Sequence, residues 1–286
     1  MITVLAGWAS LLGMATVKAA NKVTVSESRP IDIRVQSEGF GASAAEINAV
    51  LQSAARELWR YCPNLRLPGI DVYRRGDHPQ TDLKRTAEGR ISIGLTPRDN
   101  HWSQYAFQFA HEYCHALINY NNNSEELVPH AQEPNLWLEE SLCETASLFT
   151  LRALSRSWLV RPPYPVWREY APWFSVYADK RLAVPEHHPP PGTPFIAWFG
   201  ANEAGLHRDG MNRDRNTVVA TQLLPVFEKE PRGWGALAFF RRAAHPNQSL
   251  SRHFADWRSS CPPELRQFVA KLAAVFDVRL PRPKRY

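Results

Sequence analysis

The stretch from Trp102 to Ile118 constrains this chain more than any other. Its apolar residues Trp102, Tyr105, Ala106, Phe109, Ala110, Tyr113 and Leu117 recur at the spacing of an amphipathic helix. The second half of that helix carries His111, Glu112 and His115 in the segment HEYCH. Helical residues four apart lie on one face, about one turn from each other, so both imidazoles can reach a single ion.

Those residue types suit one kind of chemistry. Neutral imidazole is a good zinc ligand, and Glu112, about 100° round the helix from His111, sets a carboxylate beside the open coordination position. There it would act as general base toward a metal-activated water and later hand the proton to the leaving group. Other enzyme signatures are missing from the chain. It has no phosphate-binding glycine loop, no GxSxG nucleophile elbow and no basic-aromatic array of the kind that binds nucleic acid.

The segments before this helix alternate strand and helix patterns. Ile31 to Val35 reads as a half-buried strand. Ser43 with Glu46 makes a capping box for a helix carrying Ile47, Val50, Leu51, Ala54, Ala55 and Leu58. Strands follow near Ile70 to Tyr73 and Arg90 to Leu95, separated by a charged polar connection. After HEYCH a polar loop runs from Asn121 to Pro134, and Asn135 is placed to cap a helix from about Leu136 to Leu154. Residues 158–210 are crowded with proline, which breaks regular structure. Helical patterns return at 217–228, 234–243, 251–257 and 264–276. The expected class is α+β: a small sheet and active-site helix within 21–157, then a mainly helical region over 158–286 that closes one side of a cleft.

A catalytic zinc usually takes three protein ligands. The segment Trp137-Leu138-Glu139-Glu140-Ser141 resembles the WLNEG segment of the gluzincin metallopeptidases, whose helix downstream of HExxH supplies a glutamate ligand. Glu139 and Ser141 stand where that pattern has Asn and Gly, and Glu140 lies 25 residues beyond His115, a longer gap than in aminopeptidase-like members. The resemblance covers about residues 90 to 150 and implies a zincin-like fold, Glu140 as third ligand with Glu139 and Glu144 as rivals, and one catalytic Zn2+. It also implies that Glu144 supports a metal-binding histidine and that the strand Ile91 to Leu95 is the sheet edge that pairs with an extended peptide substrate.

Cys114 and Cys143 each follow a proposed ligand by three residues, so the expected pairing is Cys114 with Cys143 and Cys62 with Cys261; buried free thiols are the alternative. Tyr164, Tyr170, Tyr177, His207, Arg213 and Arg215 are candidate oxyanion donors, none singled out by spacing. His187 and His188 read as incidental histidines of a proline-rich loop.

The first seventeen residues are uncharged and precede Lys18-Ala19-Ala20, which reads as a secretory signal over 1–20 and an exported protein, anchored to the membrane if the segment is left uncleaved. That run is short of the roughly 20 residues of a membrane span. The formal charge of +6 is scattered and selects no partner. The expected function is a zinc peptidase acting on peptides or proteins. The alternative is a zinc-bearing but inert envelope or binding protein on the same framework.

Overall fold

Three parallel strands and one short antiparallel edge form the sheet, in a computed structural model that describes residues 31–63, 65–82, 84–119, 135–241 and 248–280. The expected signal segment 1–20 and the polar loop 121–134 lie outside these residues. Strands β1 (Ile33–Val35), β2 (Ile70–Arg74), β3 (Gln80–Thr81) and β4 (Ile91–Leu95) are ordered β1-β2-β4-β3. β1 pairs with β2 and β2 with β4 in parallel, while β3 runs antiparallel to β4. A parallel pair needs a crossover, and helix α1 (Ala44–Trp59) supplies it between β1 and β2. Its capping box forms as expected, with the Glu46 backbone N–H donating to Ser43 Oγ.

The edge expected on 91–95 lies elsewhere. β4 is hydrogen-bonded on both sides, and Ile91, Ile93, Gly94 and Leu95 are buried, so the exposed edge passes to Gln80–Thr81. A two-residue strand carries no readable alternation, so it was hidden in the charged connection. Arg90 ties the three parallel strands together. Its buried guanidinium pairs with Asp71 at 2.5 Å and with Asp32, and donates to the Asp32 and Ile70 carbonyls at 3.1 and 3.0 Å.

Helix α2 (Trp102–Asn119) is buried at every position except Gln104 and Gln108. A helix apolar nearly all round belongs inside a fold. Gln108 docks it to the end of β4, accepting from the Thr96 backbone N–H at 2.9 Å and donating to Thr96 Oγ1 at 2.7 Å. Against it packs α3 (Leu136–Val160), a helix of 25 residues. Ser141, Thr145 and Ser147 lie on α3 with their hydroxyls donating to carbonyls four residues back, and Ser147 also donates across to the Phe107 carbonyl at 2.8 Å. Small satisfied side chains let the two backbones approach. Asn135 occupies the N-cap position of α3, but its side chain makes no capping bond; its Nδ2 donates to the Gln248 carbonyl instead.

The composition change near residue 157 falls inside α3, and this helix packs on α1 and α2 as well as on the helices that follow, so both halves share one hydrophobic core. Those helices are α4 (Ala171–Leu182), α5 (Phe195–Arg208), α6 (Arg213–Lys229), α7 (Leu250–Ser260) and α8 (Pro263–Val275). α4 and α5 stand in the region expected to be broken. Its prolines sit at the starts of elements, such as Pro165 and Pro172, where a missing N–H costs nothing. The helix expected at 234–243 is a 3-10 helix over Pro231–Phe239.

Candidate metal centre

The crossing of α2 and α3 brings the Glu140 carboxylate between the two histidines of HEYCH. Glu140 Oε2 lies 3.2 Å from His111 Nε2 and Oε1 lies 3.4 Å from His115 Nε2. Two donors each about 2.0–2.1 Å from a tetrahedral ion would be about 3.3 Å apart, close to the spacing of each histidine from its nearer Glu140 oxygen. The imidazole rings stand 5.1 Å apart at 65°. All three side chains are buried.

The other nitrogen of each ring faces a second carboxylate. His115 Nδ1 donates to Glu139 Oε1 at 2.8 Å, and His111 Nδ1 lies 3.7 Å from Glu144 Oε2. Each of these carboxylates has further partners. Asn119 Nδ2 donates to Glu139 Oε1 at 2.8 Å and Arg241 lies 3.3 Å from Glu139 Oε2. On the opposite side, Arg181 sits 3.2 Å from Glu144 Oε1, and Thr217 Oγ1 donates to the same oxygen at 3.4 Å. Glu139 and Glu144, the rival ligands of the sequence, thus orient the rings with their Nε2 atoms toward Glu140.

The charges respond to this crowding. Burial pushes both imidazoles down, but the carboxylates outweigh it: the hydrogen bond to Glu140 and the nearby Glu144 carboxylate hold His111 well above the usual range, and Glu140 and Glu139 raise His115 to about 9. Burial likewise pushes Glu144 up, but the nearby His111 and the fields of Arg181 and Arg213 hold it below the ordinary value. The metal-free site therefore holds protons on its histidines, which an arriving ion must displace.

Glu112 lines the same cleft as these groups and reaches the sheet edge. Thr81 Oγ1 on β3 lies 2.9 Å from Glu112 Oε2 and 3.0 Å from the Glu112 carbonyl, fixing the carboxylate at the boundary between helix and strand. His111, Glu112, His115, Glu140 and Glu144 open on one cleft of about 320 Å³. It is lined by the edge segment His78 to Thr81, by α2 and α3, and by Met211, Arg213 and Asn216 around the start of α6.

Of the six candidate oxyanion donors only Arg213 lines this cleft. Tyr170 and Tyr177 line a separate depression near Ser103, His207 packs edge-on against Trp137, Tyr164 packs on Trp167, and Arg215 lies against Gly205. The sequence reading passed over Thr81, His78, Met211 and Asn216, because nothing local marks a residue that a distant element carries to the site. His187 Nδ1 and His188 Nε2 each meet a carbonyl, of Arg181 and Leu182, and pin the turn after α4.

The expected disulfides are not formed: all four cysteines are buried free thiols. Cys143 does meet Cys114, as the helix crossing implied, but Cys62 donates to the Trp234 carbonyl at 3.7 Å instead of bonding Cys261. Burial raises Cys62 and Cys261 to about 12 and lifts Cys143 well above its usual value, which keeps these thiols protonated. Donor atoms of His111, His115 and Cys143 lie within 4.8 Å of one another, so Cys143 is the geometric rival of Glu140. No known protein family, curated protein or solved structure matches the chain.

Proposed function

We propose that this protein is a zinc-dependent peptidase of gluzincin type, with His111, His115 and Glu140 as the metal ligands and Glu112 as the general base. The observation that carries this reading is the double-sided support of the histidines: both Nε2 atoms face Glu140, and both Nδ1 atoms face buried glutamates. Ligating histidines commonly donate their second N–H to a carboxylate in this way. A structural zinc site would be closed by four protein ligands; here the third ligand borders an open cleft.

Bound zinc would polarise a scissile carbonyl and make water acidic enough to ionise near neutral pH. The chain's own groups do the rest. Glu112, held by Thr81, takes a proton from the attacking water and returns it to the departing amine. The exposed edge at Gln80–Thr81 offers backbone groups for an extended substrate strand, so the substrate would lie along β3 with its reacting carbonyl over the floor. Export of the protein, read from residues 1–20, belongs to the same proposal.

Replacing Glu112 with Gln keeps the shape and removes the base. Zinc content should stay near one ion per chain while hydrolysis of a mixed peptide library falls at least about 100-fold, the scale of general-base catalysis. A zinc-loaded wild-type protein that cleaves no peptide would instead favour an inert binding protein on the same framework.

A further inference from the structure

The wall of the cleft facing the sheet edge carries an uncommitted charge and an uncommitted acceptor, side by side in the first turn of α6. Glu112, Glu139 and Glu144 stand buried beside the proposed ligands, and two arginines answer them: Arg181 pairs with Glu144 and Arg241 with Glu139. Arg213 also lines the cleft as an exposed side chain whose field reaches Glu144, yet its guanidinium makes no ion pair or hydrogen bond among the described residues. His78 on the opposite wall is engaged by Asp77 at 2.9 Å.

Asn216 lies one turn beyond Arg213 and is only 3% exposed. Its Nδ2 donates to the Gly210 carbonyl at 2.8 Å, which fixes the amide so that the other terminal atom must be the oxygen. That Oδ1 has no hydrogen-bond partner among the described residues. A buried acceptor left unpaired at the lining of a cleft is a place for an N–H from outside. The positive end of the 17-residue helix α6 adds to the field of Arg213.

We propose that Arg213 and Asn216 form a carboxylate-reading subsite: Arg213 binds a carboxylate of the peptide, and Asn216 Oδ1 accepts a neighbouring backbone N–H. The inference rests on the peptidase reading and narrows its substrate class to peptides bearing a negative group beside the cleaved bond. Two sources offer that group, an acidic side chain or the free C-terminus, and both present the same planar oxygens to a guanidinium. Arg213 is a binding residue here, distinct from Glu112.

The test uses one peptide in four forms: with a free or amidated C-terminus, and with Glu or Gln beside the bond. Wild type, Arg213→Ala and Arg213→Lys are compared by kcat and KM, and the same peptides are titrated calorimetrically into zinc-loaded Glu112→Gln protein with and without the Arg213 changes. Arg213→Ala should raise KM and Kd about 10- to 100-fold for the recognised acidic form, the scale of one lost hydrogen bond to a charged group, with a much smaller change for the neutral forms. Arg213→Lys should keep the preference with weaker binding. The form whose neutralisation cancels the Arg213 effect identifies the source of the carboxylate. Acidic and neutral forms handled alike by wild type would overturn the subsite, as would an equal fall in kcat on every peptide, which assigns Arg213 to the reacting oxygen. If wild type cleaves nothing but the calorimetric preference holds, the peptidase reading fails and the subsite stands; if that preference is also missing, the subsite fails.

Discussion

Glu139 and Glu144 show how much of the site depends on residues that never touch substrate. Each is almost fully buried, each faces the Nδ1 of one histidine, and each is backed by an arginine. Isosteric Glu139→Gln or Glu144→Gln keeps the shape but removes the charge that makes the ring a basic ligand. Zinc affinity, measured by competition with a chromogenic chelator, should fall about 10- to 100-fold in either variant. An unchanged affinity in both would mean that the Nδ1 contacts do not orient the rings. The sequence placed Glu139 next to the ligand and left its role open. Only the crossing of α2 and α3 distinguishes it from Glu140, because adjacent residues on a helix point about 100° apart and the partner decides which one faces inward.

At the scale of elements, the sheet is held by a polar clamp as well as by Ile70, Val72, Ile91 and Ile93. Arg90→Ala would strip Asp71 of its partner and free the carbonyls of Asp32 and Ile70. Breaking a buried pair by removing one member costs about 3–5 kcal/mol. Asp32 is largely exposed, so the lower end is expected, about 3 kcal/mol in urea unfolding. A loss below about 1 kcal/mol would show that the strands hold without the clamp. Elements with strong periodicity were readable in advance: the capping box and apolar face of α1, the apolar girdle of α2, and the alternation of β4. β3 was not, since two residues make no pattern and its place depends on pairing with β4. α4 and α5 were masked by prolines, which end one helix and begin the next equally well.

For the whole molecule, the proposed metal site sits where α2, α3, α6 and the sheet edge meet, so its charge state bears on the stability of both halves. In the metal-free protein, His115 is raised to about 9 and His111 is raised well above the usual value. Both pKa values exceed the unfolded value of about 6.5. Their contribution is therefore complete below about pH 6.5 and is lost as pH rises toward and through 9. The melting temperature in chelator should fall across that window, and saturating zinc, which replaces the protons, should flatten the fall and raise the midpoint. Equal melting curves with chelator and with zinc across the window would argue against a metal in this site. What the chain's order of helices could not disclose is the wall contributed by α6, because Arg213 and Asn216 reach the cleft only through the packing of α6 against α3.

The decisive question is which atoms hold the ion, since His111, His115 and Cys143 form one possible set and His111, His115 and Glu140 the other. Zinc K-edge absorption of the purified, zinc-loaded protein answers it. The expected first shell contains only nitrogen and oxygen at about 2.0–2.1 Å, with a histidine scattering pattern that is unchanged in Cys143→Ala and lost with the metal in Glu140→Ala. A sulfur at about 2.3 Å, or full zinc retention in Glu140→Ala, would contradict it.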